Sequence, residues 1–279
     1  MVRFADSTNL ELLRLEAHMG FSFFIGLSTT IVAAIFTWTV LSRYFQRGGS
    51  YNLMWGLGLL LYFIAGATET VLAFGWNETA FRLWYWSGAI MVAAVLGQGT
   101  LHLLVRKPYV ATIASITIGV LAFTSLVWML SVPLDATKFT PGSDLGSFLT
   151  ESYRQILPQS SVRRILPPLM NIYGTVLLAG GAIYSGLLFA RKQVLPHRVL
   201  GNTLIAVGGI LPALGGSIIK LAESTPALSE WGSVLKYLGI FLGLLVLFFG
   251  FQVIARGGRP TADDRRRPNV DGRPLTADG

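Results

Sequence analysis

Apolar residues in this chain arrive in long unbroken runs, not at every second position or every third to fourth. Seven runs stand out, near 20–42, 51–75, 80–104, 109–132, 166–190, 199–222 and 233–255. About 20 residues at 1.5 Å rise cross a hydrocarbon layer about 30 Å thick, so each run predicts a spanning helix. A membrane barrel needs strands that alternate over about ten residues, and that pattern is missing. The expected fold class is an all-α integral membrane protein, a seven-transmembrane-helix bundle.

Polar residues gather between the runs, and their signs alternate. The connections after spans 1, 3 and 5 hold Arg43 and Arg47, then Arg106 and Lys107, then Arg191, Lys192, His197 and Arg198, with no acid among them. The other connections hold Glu78, Asp135, Asp144, Glu151, Glu223 and Glu230. Basic loops stay in the cytoplasm, which places the N-terminus outside and the C-terminus inside, with the plasma (inner) membrane as the expected location. Residues 1–19 read as an outer interfacial helix, with Thr8 and Glu11 at capping-box spacing. Residues 20–256 form the membrane domain. The one long outer connection, 133–165, is expected to carry an amphipathic helix over 143–157, either a lid or a segment lying on the lipid. Residues 257–279, rich in Gly, Pro, Asp and Arg, read as a disordered basic cytoplasmic tail.

A faint internal echo links spans 2–3 to spans 6–7. Gly66-Ala67-Thr68 with Leu72-Ala73 matches Gly215-Gly216-Ser217 with Leu221-Ala222, and Gly88/Gly99 matches Gly239/Gly250. This suggests two parallel three-helix repeats around a linking span 4.

Composition agrees with this architecture. Of 279 residues, 52% are hydrophobic and 13% charged, half the charge of a soluble domain, and mean hydropathy is +0.58. The absence of cysteine removes disulfides, thiol chemistry and thiolate-bound metal. The net charge of +8 comes from inner loops and tail, which favours anionic inner-leaflet lipid as a partner and gives no reason to expect nucleic acid. The three histidines do not share a helix at ligand spacing, so no metal or other cofactor is implied. Paired-aspartate, histidine-cluster and Walker signatures are missing, and an enzyme is not expected.

Ionisable groups inside a bilayer are costly and mark function. Glu69 shares a stripe of span 2 with Trp55, Tyr62 and Trp76, each seven residues apart. Lys220, near the outer end of span 6, is its candidate partner. Span 3 carries Trp84, Gly88, Met91, Val95, Gln98 and His102 at heptad-like spacing, and span 5 offers Asn171 beside small residues. Glu69, Lys220, Trp55, Tyr62, Trp84, Tyr85, Gln98 and Asn171 are therefore the candidate ligand-binding residues, in the outer half of the bundle. Packing and an aromatic belt at the interface are the competing explanation for the same residues.

Seven spans with an outside N-terminus occur in microbial rhodopsins, G-protein-coupled receptors and small sugar carriers, but the residues depart from all three. Span 7 has no lysine from Gly239 to Gly250, no acid–arginine pair ends span 3, and span 1 has no proline. Three functions stay open: a carrier or sensor of a small or lipidic ligand, a non-catalytic subunit of a larger membrane complex, and an intramembrane enzyme acting on lipid.

Overall fold

The structure is a computed structural model. It describes residues 3–105, 107–139, 153–192, 196–223 and 232–257, with side chains from residue 23 onward except at 161, 213–223, 232–234, 236 and 257. The protein is all-helical, with no strand among the described residues. Six helical segments are long and apolar enough to cross a membrane: Phe23–Arg47, Ser50–Ala73, Glu78–Leu104, Pro108–Ser131, Val162–Arg191 and Tyr237–Arg256.

Helix α1 is Arg3–Arg47, α2 Ser50–Ala73, α3 Glu78–Leu104 and α4 Pro108–Ser131. Helix α5 begins as Ser161–Thr175, passes through a π-helical turn at Val176–Gly180 and continues as Gly181–Arg191. A second π turn, Tyr85–Met91, interrupts α3. Helix α6 is Pro196–Glu223 and α7 is Gly232–Gly257. From Arg3 onward one helix runs through both the expected interfacial segment 1–19 and span 1. At 45 residues it is about 67 Å long and overshoots any bilayer core. Helix α5 begins before the expected span 166–190, because Ser160 caps it by accepting a hydrogen bond from the Arg163 amide at 3.2 Å, and Pro167 and Pro168 therefore lie inside the helix. Of the amphipathic helix expected over 143–157, only residues 153–157 are described. The tail beyond Gly257 and the ends of the outer loop before Gly232 lie outside the described residues.

Each of α1, α2, α3, α5, α6 and α7 packs on the next, and α7 returns to α1, so the six close a ring. Within the triplets neighbours are antiparallel. A Cβ on Gly56 would meet Leu41 and one on Gly66 would meet Thr30, while Gly201 faces Ile254 and Gly208 faces Leu247. The two triplets meet along parallel seams. At one, Phe248 lies 5.0 Å from Phe36 and the Arg43 guanidinium 5.4 Å from the Phe251 ring centre, joining α7 to α1. At the other, α3 and α5 cross with backbones in contact: a Cβ on Gly174 would lie 2.1 Å from the carbonyl of Ala93, and one on Gly97 would lie 2.8 Å from Gly174. Only glycine permits that approach. Helix α4 stands outside the ring against α3, and leaves Ile113, Ile116, Val120, Phe123 and Leu130 exposed as an apolar, lipid-compatible surface.

Buried and half-buried threonine hydroxyls are satisfied locally. Thr30, Thr37, Thr68 and Thr70 each donate to the carbonyl four residues back at 2.7–2.9 Å. Hydrocarbon supplies no alternative partner, so this back-bonding lets a polar residue face its neighbours without cost to the bilayer.

Candidate functional site

The seven candidate residues whose side chains are described separate into four places. At the acidic end, Trp84 and Tyr85 belong to an aromatic cluster. Tyr85 is fully buried, 5.6 Å from Tyr153, and Trp76 contacts Phe81 at 5.4 Å and Phe139 at 5.3 Å. Ile156 and Leu157, from the long connection 133–165, are buried in the same cluster. The loop is held down by Asp135 donating its amide to the Ile156 carbonyl at 3.0 Å and by Arg163 donating to the carbonyls of Arg154 and Leu157. Arg82 pairs with Glu78 at 2.6 Å and also donates to the Met129 carbonyl, tying α3 to the end of α4. The described part of the loop is thus a plug packed on rings.

Glu69 accepts a 2.7 Å hydrogen bond from the Tyr237 hydroxyl, which links α2 to α7. The Lys220 side chain lies outside the described residues, so its pairing with Glu69 is not decided. Tyr62 packs against the second hydrophobic cluster, around Phe36, Leu59 and Phe251.

Gln98 and Asn171 occupy the α3–α5 seam. Gln98 is 1% exposed; its amide donates to the Ala111 carbonyl at 2.9 Å and to Ser115 Oγ at 2.8 Å, and its oxygen accepts from the Tyr173 hydroxyl at 2.6 Å. Ser115 Oγ is 2.7 Å from His102 Nε2, and His102 Nδ1 is 3.1 Å from Ser50 Oγ. The chain of five side chains ties α5, α3, α4 and α2 together. Asn171 donates to the Ala89 carbonyl within the π turn and to the Pro167 carbonyl, both at 2.8 Å. A π turn widens the helix by one residue and re-aims the carbonyls around it. The same extra residue rotates Trp84 by about 100° relative to Gln98, which breaks the heptad-like stripe expected along span 3.

Trp55 lies elsewhere, at the basic end. Its indole donates to Thr100 Oγ1 at 3.4 Å and stands edge-on to Tyr51 at 5.8 Å and Phe251 at 6.2 Å. It forms part of the wall of a cavity of about 460 Å³, lined at the basic end by residues of all six ring helices. The rim is basic and polar, with Arg43, Arg47, Arg198, Asn52, Asn202 and Ser185, and no Asp or Glu among the described residues lines it. The floor is apolar: Trp55, Leu178, Ile205 and Phe251 also line a smaller void of about 20 Å³ beneath. Helix starts and ends fix these positions. Arg43 and Arg47 lie one turn apart in the last turns of α1, Asn52 lies in the first turn of α2, and Arg198 in the first turn of α6. Asn52 is 1% exposed; its amide nitrogen donates to the Gly48 carbonyl at 2.9 Å, and its Oδ1 has no hydrogen-bond partner among the described residues.

Sequence reasoning missed this cavity because the positive-inside rule already accounts for every arginine in a short inner loop. The signal that was present is the spacing of Arg43 and Arg47, which places both on one face of α1. Comparison with known protein families, curated proteins and solved structures finds no match.

Proposed function

We propose that the chain is a seven-span membrane protein that binds a small or lipidic ligand inside its six-helix ring, as a carrier or sensor and not as an enzyme. The observation that carries this reading is the cavity at the basic end. Its volume falls within the range of about 300–1,000 Å³ typical of ligand sites, and it joins an apolar floor to a few placed polar groups. This moves the site from the outer half, where the polar candidates on the sequence lie, to the half that the positive-inside rule assigns to the cytoplasm. Helix α6, 28 residues long, is the seventh span in this reading.

The ring also favours the 3+1+3 repeat. Two parallel seams between antiparallel triplets, with α4 left outside, are what a repeated three-helix unit requires when one extra span must return the chain across the membrane. The echo has a packing counterpart: Gly99 abuts Trp55, and Gly250 abuts Leu204, at nearly equivalent positions of the two triplets.

The test is to fill the cavity. Ser185→Trp places an indole where a small hydroxyl lines the wall. Native mass measurement of protein extracted gently from its membrane is expected to show a bound small molecule or lipid in the wild type and its loss in the variant. Equal retention by both would remove the cavity as the site. A second reading, subunit of a larger complex, is favoured by the apolar outer face of α4. The same measurement separates the two, since a partner chain retained on the wild type identifies a complex.

A further inference from the structure

We infer that the cavity takes the acyl chain of a membrane lipid, which enters sideways from the bilayer between the basic ends of α3 and α5 and leaves its polar head at the rim. This deepens the reading of the cavity as a ligand site and rests on it.

One wall of the cavity is loosely closed. The other seams of the ring are tied near the basic helix ends. Ser50 Oγ of α2 lies 3.1 Å from His102 Nδ1 of α3, and Arg198 of α6 stacks on Phe189 of α5 at 5.3 Å. Gly201 of α6 abuts Ile254 of α7, and Arg43 of α1 lies over the Phe251 ring of α7. Helices α3 and α5 meet closely where Gly181 abuts Thr100 and Leu104, and touch only sparsely beyond that point. The end of α5, at Arg191, is ten residues further on, about 15 Å along the helix axis.

The residues beside this gap face both ways. Gly186 abuts Asn202, so that flank of α5 faces α6. Tyr184 and Leu188 fall on the opposite flank, toward α3, which contributes Leu103. All three line the cavity, and they are 61%, 38% and 48% exposed. Lining the cavity does not by itself expose a residue, because Ala182 and Ser185 line it and are 4% and 8% exposed. Tyr184, Leu188 and Leu103 therefore form a lip between the cavity and the outer surface. Ile183 and Leu187, both exposed, continue that surface as an apolar face suited to lipid.

The path stays apolar from the lip to the floor of Trp55, Leu178, Ile205 and Phe251. A buried water needs about 2–4 polar partners, which such a floor does not offer. An empty floor forfeits dispersion contacts on one side. Hydrocarbon restores those contacts, and the bilayer lies directly across the lip as its source. A soluble solute would leave the lip and the floor unused. The polar rim, with Arg47, Arg198 and Asn202, suits a headgroup that stays near water while its chain turns inward.

The test uses the full-length protein in nanodiscs of phosphatidylcholine with a diazirine-bearing acyl chain, and maps photoadducts by mass spectrometry. Wild type is expected to carry adducts on Trp55, Ile205 and Phe251, and on the exposed face of α4, which serves as the internal reference. The chain has no cysteine, so Leu103→Cys/Leu188→Cys sets a unique thiol pair across the lip at two exposed positions. A reducible bifunctional thiol reagent, added before the labelled lipid, closes the lip. Floor adducts are expected to be lost relative to α4, to return on reduction, and to persist in each single variant treated alike. Leu103→Trp/Leu188→Trp narrows the lip by bulk alone and is expected to lower floor labelling in the same sense. Floor adducts that persist with the lip bridged or narrowed overturn lateral entry. Their absence in wild type overturns the inference as a whole, and Ser185→Trp then separates the two readings. If Ser185→Trp loses a bound molecule that wild type holds, the cavity stands and the acyl chain falls; if it does not, both fall.

Discussion

The two ends of the ring solve opposite problems with similar residues. Both are rich in aromatic rings, yet one is solid and the other hollow. At the acidic end Trp76, Phe81, Tyr85, Phe139 and Tyr153 meet ring to ring, and the loop residues Ile156 and Leu157 fill what space is left. At the basic end Tyr51, Trp55, Phe189 and Phe251 line a space instead of filling it, and two of these rings lie under arginines or beside them. The difference lies in what each end can bury. A loop that brings its own apolar side chains closes an end. Helix termini that carry arginines cannot approach one another, because like charges repel and their hydration is costly to strip.

The largest test of this contrast lies between the ends. Gly174→Val sets a side chain against the Ala93 backbone, where the space is 2.1 Å from an added Cβ and nothing can yield. The seam is expected to open at a cost of about 3 kcal/mol or more, seen as loss of a monodisperse peak in detergent. Next is Phe81→Ala, which hollows the solid end. Apolar transfer matters less between lipid and protein than in water, so the residual cavity dominates and the cost is about 2–3 kcal/mol in thermal unfolding. Ser185→Trp at the hollow end is expected to leave the melting temperature near wild type, and a drop as large as that of Phe81→Ala would erase the contrast.

A smaller effect separates bonding from charge at Glu69. Glu69→Leu removes the hydrogen bond from the Tyr237 hydroxyl and is expected to cost about 1–2 kcal/mol, whereas Glu69→Gln can still accept it and costs less. Equal losses would show that the carboxylate charge, not the hydrogen bond, matters. The smallest is a pH effect in the plug. The Thr137 hydroxyl and amide bond to Asp135 and hold its carboxyl below the ordinary value of 3.8. A depressed acid stabilises the folded form above that value and loses its contribution as pH falls through its lowered pKa. Protection of the Thr137 amide from hydrogen exchange is expected to be constant at neutral pH and to fall only under strong acid, and Asp135→Asn should remove the dependence.

Most of the architecture was legible because a bilayer forces it: an apolar run of 20 or more residues has few other fates, and the ends of α2, α3 and α4 fall within two residues of expectation. The candidate site was less so. Glu69 was expected to face a ligand with Lys220 as its partner; its described partner is Tyr237, which lies 168 residues away with no periodicity to announce it. Trp84 and Gln98 share a stripe only in a helix of constant pitch, and the π turn between them is not written in hydropathy. The basic rim was visible as charge and was fully explained by orientation, so nothing prompted a second use. Tyr173, Ser115 and Asn52 are polar residues of ordinary type; only the bonds of the first two to Gln98, and the burial of Asn52, distinguish them.

The glycine crossing of α3 and α5 has a mechanical meaning. Two rods in backbone contact at Gly97 and Gly174, with aromatic packing beyond the crossing on one side and sparse contact past Gly181 on the other, share one soft coordinate: rotation about the point where they touch. They work like the blades of scissors whose tips lie at the basic end. A rotation there would change the width of the cavity mouth more than that of the packed end, because the mouth lies on the sparsely contacted side of the crossing.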